Sequence, residues 1–178
     1  MAKAKTKTKK TKKKVAKRPI ALRASVGLPR HRQYGVIPVR FSRDGRIEVL
    51  LLTSRGTGRW VVPKGWPMRK RTPAGTAERE AYEEAGVKGW LWSRRPIGSY
   101  RYFKEDADFS GEILVRLFVL AVEEQKKKWP EMGERRVRWC ALRQAASLVK
   151  ERDLAKLLRD MPRLLVGEKP TRPARKKK

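Results

Sequence analysis

Residues 63–87 read PKGWPMRKRTPAGTAEREAYEEAGV, and their second half decides the fold. Glu80, Glu83 and Glu84 stand at i, i+3 and i+4, positions that share one face of a helix. Three carboxylates so close repel one another and raise each other's pKa unless a positive charge sits among them. A hard divalent cation meets that need, since Mg²⁺ takes oxygen ligands, ordinarily one or two carboxylates with waters and substrate phosphates. The spacing predicts a helix with clear ends. Thr72 can cap its first turn and Pro73 falls at the favoured first position. Ala74, Ala77 and Ala81 are good helix formers, and Gly86 supplies the stop. Lys64-Gly65-Trp66-Pro67 is an irregular loop, and Arg59–Val62 before it reads as a short strand. The expected unit is strand, loop, helix, with the acids aimed back at the loop. A solvated acidic helix face is the plain alternative for such a run. Cap, glycine and strand all agree on the site instead.

This stretch resembles the Nudix box, G-x5-E-x7-R-E-U-x-E-E-x-G-U with U aliphatic. Gly65 matches the first glycine, and Arg79-Glu80-Ala81, Glu83-Glu84 and Gly86-Val87 match the second half. The early glutamate of the pattern is Arg71 here, a departure that bears on the number of metal ions more than on the fold. The resemblance implies an α+β protein with the Nudix fold, a mixed β-sheet sandwiched between α-helices. It implies hydrolysis of a phosphoanhydride in a nucleoside diphosphate linked to another group, with Mg²⁺ or Mn²⁺ as cofactor. Glu80, Glu84 and the Gly65 carbonyl would hold metal, Glu83 would act as general base or further ligand, and Arg79 would orient the glutamates. The runs TSRGTGRWVVPKGWP (53–67), GSYRYFK (98–104) and the later WPE and RRVRWCAL segments resemble the branch of diphosphoinositol-polyphosphate and diadenosine-polyphosphate hydrolases. The expected partner is therefore an anionic polyphosphate small molecule, either a dinucleoside polyphosphate or a diphosphoinositol polyphosphate.

Around this unit the chain is strongly basic, with 47 Lys+Arg against 18 Asp+Glu and a formal charge of +29. Residues 1–32 hold 13 basic residues and no acidic one, and residues 162–178 hold 7 basic and 1 acidic. The expected organisation is a basic, largely disordered arm (1–32), one domain (33–161) and a basic disordered tail (162–178). Ends so charged bind polyanions with steep salt dependence. They motivate a second class of function, a nucleic-acid-binding protein on a Nudix scaffold or an RNA-directed enzyme, against the plainer reading of nonspecific affinity. The single cysteine, Cys140, lies in an apolar strand-like run and reads as a buried, inert thiol. No segment offers the ~20 apolar residues of a membrane span, and the start has no apolar secretory core. A cytoplasmic location is the resulting expectation, with no membrane partner.

The rest of the chain predicts strands at 36–41 and 47–53 joined by the Asp44-Gly45 turn, at 88–93 and 97–104, at 112–122 and at 135–142, then helices at 143–149 and 151–159. Pro38 argues for an edge strand. Glu112–Val122, EILVRLFVLAV, should be central. Candidate phosphate-binding cations are Lys64, next to the box glycine, with Arg55, Arg40 and Arg101 on flanking segments. In so basic a chain, each competes with a role in surface solubility. Trp60 and Trp139 read as core, Trp66 as core, rim or a stacking surface, and His31 as solvent-exposed.

Overall fold

A computed structural model describes residues 31–107 and 109–167. Most of the expected arm and tail, and the nucleic-acid expectation that rests on them, lie outside the described residues. The strands are β1 (His31–Phe41), β2 (Ile47–Thr53), β3 (Trp60–Val61), β4 (Lys64–Gly65), β5 (Val87–Leu91), β6 (Gly98–Glu105), β7 (Ser110–Gln125) and β8 (Val137–Ala141); the helices are α1 (Pro73–Ala85), α2 (Leu142–Leu148) and α3 (Arg152–Gly167). The strands form one sheet in the order β3-β2-β1-β7-β5, with β4 beside β1, β6 beside β7 and β8 beside β2. The β1–β7 pair is parallel and the other pairs are antiparallel. The α+β expectation, a mixed sheet between helices, is what the structure has.

Side chains alternate across the sheet and so fill two layers. Val36, Leu50, Leu52, Phe118 and Leu120 face α1, where Ala77, Ala81 and Ala85 meet them. Ile37, Val39, Leu51, Leu117 and Val119 face the other way, against Ala145 of α2 and Leu154, Leu158, Met161 and Leu165 of α3. Small residues on α1 let that helix lie close to the sheet, which brings its glutamates to the level of β4. Cys140 is buried, as expected.

Two expectations change. Pro38 does not mark an edge, because β1 is central, between β2 and β7. The Val36 N–H donates to the Pro63 carbonyl, so alternation turns the Pro38 nitrogen to that same side. There β1 pairs with β4 at Tyr34 and Gly35 and with β2 only from Val39 on. The missing donor falls in the gap between two neighbours. The domain also extends past both of its expected limits. His31 and Arg32 pair with Ile113 and Leu114 of β7. At the other end α3 continues through Pro162 to Gly167, and Leu165, in line with Leu154, Leu158 and Met161, is buried against the sheet. The apolar face outweighs the hydrogen bond that Pro162 cannot donate.

Helix α1 has the expected ends. The Thr72 hydroxyl accepts from the Gly75 N–H at 3.0 Å, and Gly86 closes the helix at φ 69° with its N–H directed to the Ala81 and Tyr82 carbonyls. Gly86 has a second duty. A Cβ there would lie 2.6 Å from the Trp129 ring, so the ring packs on the helix terminus. The same segment is tied down by Lys126 N–H to Gly86 O at 2.9 Å and Glu131 N–H to Glu83 O at 3.0 Å. We expect Gly86→Ala to cost about 2 kcal/mol or more in urea unfolding, from the left-handed backbone and the displaced ring together. A change below roughly 0.5 kcal/mol, the range of an ordinary surface substitution, would contradict this account.

Candidate functional site

The loop before α1 is laid directly on β1. Lys64 and Gly65 pair with Gly35 and Tyr34, and a Cβ on Gly35 would meet the Pro63 carbonyl at 2.5 Å. Gly35 is thus the residue that lets the loop lie on the sheet. Gly65 in turn lets the helix approach the loop, since a Cβ there would lie 2.0 Å from Glu80 Oε1. The sequence-level unit of strand, loop and helix is closed by this contact between a glycine and a carboxylate.

Four carboxylates gather behind it. Glu84 is 5% exposed. Its Oε2 accepts from the Lys64 backbone N–H at 3.0 Å, and its Oε1 lies 2.5 Å from Arg135 Nη2. Glu83 is held from its own helix by Arg79 Nε at 2.5 Å. Glu131, in the segment anchored by Trp129, is held by Arg135 Nε at 2.8 Å, and Arg55 Nη1 reaches it at 3.8 Å. Arg135 is 7% exposed and also donates to the Thr53 carbonyl at 3.2 Å. Among the described residues, Glu80 has no ion pair or hydrogen bond. Burial pushes its carboxyl up to about 7, with further upward pressure from Glu84, Glu83 and Glu131 and partial relief from Lys64. Burial likewise raises Glu84, against the pull of Lys64 and Arg135.

Among the described residues, no group of three or more His, Cys, Asp or Glu side chains is arranged to hold a metal ion unaided. The donor set these residues would offer is smaller, two carboxylates and a backbone oxygen, and Mg²⁺ commonly takes no more than that from protein. Glu80 lacks a partner and is crowded by like charge against a glycine backbone, so the residues present fit a divalent cation at Glu80, Glu84 and Gly65.

Not all the expected site residues meet. Gly65, Lys64, Glu80, Glu83, Glu84 and Arg79 do. Arg55 stands at the outer rim, its guanidinium shared between Glu131 and Glu134. Arg40 does not belong. It lies five residues along β1 from Gly35, about 16 Å at roughly 3.3 Å per residue, paired with Glu48 and stacked 4.2 Å over Trp139. Arg101 is also displaced. It is exposed and paired with Glu112, on the opposite face of β6 from Tyr102. Strand parity brings Tyr102 to the site instead, its ring 5.5 Å from Lys64 Nζ and 5.1 Å from Arg59 Cζ, its hydroxyl bonded to Gln33 at 2.9 Å. Arg59 is itself paired with Glu151 at 2.7 Å. Sequence reasoning also missed Glu131 and Arg135. Their only trace is an acid after the Lys126–Trp129 run and an arginine four residues on.

Without divalent metal, Glu80 carries a linked signature. Its folded pKa of about 7 lies above the ordinary glutamate value of 4.5, so between those values the folded chain binds more protons than the unfolded one. Stability attributable to Glu80 should therefore be lost as pH rises from about 4.5 to about 7. Denaturant unfolding in chelator should show Glu80→Gln gaining on the wild type across that window, and Mg²⁺ restoring the wild type at pH 8. A wild type and variant that keep a constant difference over this range would contradict the reading.

The sequence matches the family model described as NUDIX domain over residues 29–161. Among curated relatives, Nudix hydrolase 12, mitochondrial, of Arabidopsis thaliana is 31% identical over 128 residues, 70% of this chain and 63% of its own length. Diphosphoinositol polyphosphate phosphohydrolase 3-alpha of Mus musculus is 40% identical over 92 residues, so this chain spans about half of that relative (52%) and the match 51% of this chain. Of solved structures, an Ap4A hydrolase of C. elegans in a binary complex superposes with a TM-score of 0.58 at 23% identity, covering 77% of this chain and 98% of that one. That likeness shows the fold. The cytoplasmic expectation does not survive these relatives, because Nudix hydrolase 12 and two further Arabidopsis relatives are named mitochondrial. The lack of a secretory core does not decide the matter, because a transit segment has none either. Among the described residues no helix is long and apolar enough to cross a membrane. With a family model matched across most of its length and a site built on the loop glycine and helix glutamates of that family's signature, the chain belongs to the Nudix hydrolases.

Proposed function

We propose that the protein is a Mg²⁺-dependent pyrophosphohydrolase, with Mn²⁺ as a substitute, that cleaves a phosphoanhydride in a nucleoside-diphosphate-linked or highly phosphorylated small molecule. Dinucleoside polyphosphates and diphosphoinositol polyphosphates are the preferred candidates, the substrates in the names of two of the proteins it resembles. The observation that carries the proposal is the partnerless Glu80 carboxylate beside Gly65, inside a cluster of acids whose other members are each held by a cation.

The chemistry follows from the parts. Glu80, Glu84 and the Gly65 carbonyl would hold the metal. When bound, Mg²⁺ neutralises phosphate oxygen charge and acidifies a coordinated water. Arg135 fixes Glu84 from behind while the Lys64 N–H fixes its other oxygen, so Glu84 cannot swing away. Arg79 holds Glu83 by an ion pair, and Glu83 would serve as the base that takes the proton of the attacking water or as a further ligand. Lys64 brings an ammonium beside the acids. Burial lowers its pKa, opposed by Glu84, and an incoming phosphate would stabilise its charged form.

A panel of phosphoanhydride substrates with product identification tests the proposal. The wild type with Mg²⁺ or Mn²⁺ should release phosphate or nucleotide, and chelator should abolish that release. Glu84→Gln and Glu83→Gln should each lower kcat by about 10²–10⁴-fold, in folded protein. Arg40→Ala and Arg101→Ala should leave kcat/KM within about twofold, since neither reaches the site. Failure of the wild type on every member of the panel would sink the proposal.

A further inference from the structure

The glycine that faces Glu80 is followed at once by an exposed aromatic residue. Trp66 is 39% exposed. Its ring sits among two others drawn from distant parts of the chain. Phe109, in the β6–β7 turn, lies 5.6 Å away at an interplanar angle of 66°, and His31, at the start of β1, lies 6.3 Å away at 83°. His31 and Phe109 are 4.7 Å apart at 87°. All three pairs are edge-on, so no two of these rings are stacked face to face. Lys104 Nζ stands 5.8 Å from the Phe109 ring. His31 is therefore exposed, as its sequence position suggests, but it is part of an aromatic cluster.

The position of the cluster matters more than its packing. Lys64 and Gly65 form β4, and Trp66 is the next residue. Metal-binding backbone, phosphate-binding ammonium and an open indole thus occur within three consecutive residues. A phosphate chain lying against Lys64 and Gly65 carries its terminal group past Trp66. Two kinds of terminal group are at issue. A nucleobase has flat π-faces that stack on aromatic side chains with little regard to sequence. A phosphorylated inositol ring is saturated and surrounded by charge, and it has no face to offer an indole. Its natural surroundings are cations, and here Arg101 faces away, Arg55 is engaged by Glu131 and Glu134, and Lys104 by Asp106, whereas Arg69, Lys70 and Arg71 are exposed in the loop after Trp66. Charge would thus admit either terminal group, and the open indole is what favours a base. The plain alternative is that the three rings only staple the start of β1 to the β6–β7 turn.

We infer that Trp66, supported by Phe109 and His31, is a stacking platform for a nucleobase, so that the site takes a nucleoside polyphosphate in preference to a diphosphoinositol polyphosphate. This rests on the hydrolase reading given above and narrows its substrate class. Trp66 contacts the base and acts in specificity, not in bond cleavage.

Calorimetric titration of the full chain with Mg²⁺ separates the outcomes, using ADP and inositol hexakisphosphate as probes. Trp66→Leu keeps a smaller apolar side chain without a π-face, and Trp66→Phe restores a π-face. The wild type should bind ADP. Trp66→Leu should lose at least tenfold in ADP affinity and change hexakisphosphate affinity by less than about twofold, and Trp66→Phe should recover most of the loss. Equal losses for both probes would show a structural staple and overturn the inference. So would an unchanged ADP affinity, or a wild type that binds hexakisphosphate and not ADP. Because binding is read directly, these results stand apart from the hydrolysis panel. A chain that binds ADP through Trp66 but hydrolyses nothing would defeat the hydrolase reading alone.

Discussion

Like charges brought together out of water dominate this structure. Glu80, Glu83, Glu84 and Glu131 share one cleft, and burial strengthens every repulsion among them. Three of the four are neutralised by a nearby cation, Arg79 for Glu83 and Arg135 for both Glu84 and Glu131. The fourth is not. Protein surfaces readily supply one more lysine, and this chain has basic residues in excess. The carboxylate left without a partner beside the buried Gly65 is what supports the proposal of a divalent cation at this site.

Much of the architecture serves to hold that arrangement. The alanines of α1 let the helix sit close on the sheet. Gly35 lets the loop lie on β1, and Gly65 lets the glutamate reach the loop. On the far side, Trp129 packs on Gly86 while the Glu131 N–H bonds to the Glu83 carbonyl. Thus the segment that delivers Glu131 is fastened to the helix that carries the other acids. Arg135 then spans from Glu84 to Glu131 and to Thr53 of β2. Its burial makes it a rigid strut, because breaking a buried pair by removing one partner is costly, on the order of 3–5 kcal/mol.

What could be read from the sequence was local. The helix caps at Thr72 and Gly86, the i, i+3, i+4 acids and the glycine before them are each decided within a few residues, and they stand as expected. What escaped was set by pairing between distant segments. Pro38 suggested an edge because a strand proline usually marks one, but the switch of neighbours from β4 to β2 depends on where the box loop lands. Charge alone points to Arg101, whereas strand parity turns it away and presents Tyr102. The nearness of β1 points to Arg40, yet Arg40 sits at the other end of that strand. Glu131 and Arg135 have no local signature, and their role arises from long-range contacts, the Trp129 ring on Gly86 and the Glu131 N–H to the Glu83 carbonyl among them. Leu165 shows the same limit, since a buried face carries α3 past the expected end at 159 and through Pro162.

The most direct measurement is a crystal structure of the protein soaked in Mn²⁺, with anomalous scattering used to locate the ion. The account predicts an anomalous peak bound by the Glu80 and Glu84 carboxylates and the Gly65 carbonyl, at roughly 2.0–2.3 Å, the range of metal–oxygen bonds to small divalent cations. An acid cluster with no peak at saturating Mn²⁺, or a peak held by other residues with Glu80 turned to solvent, would contradict it.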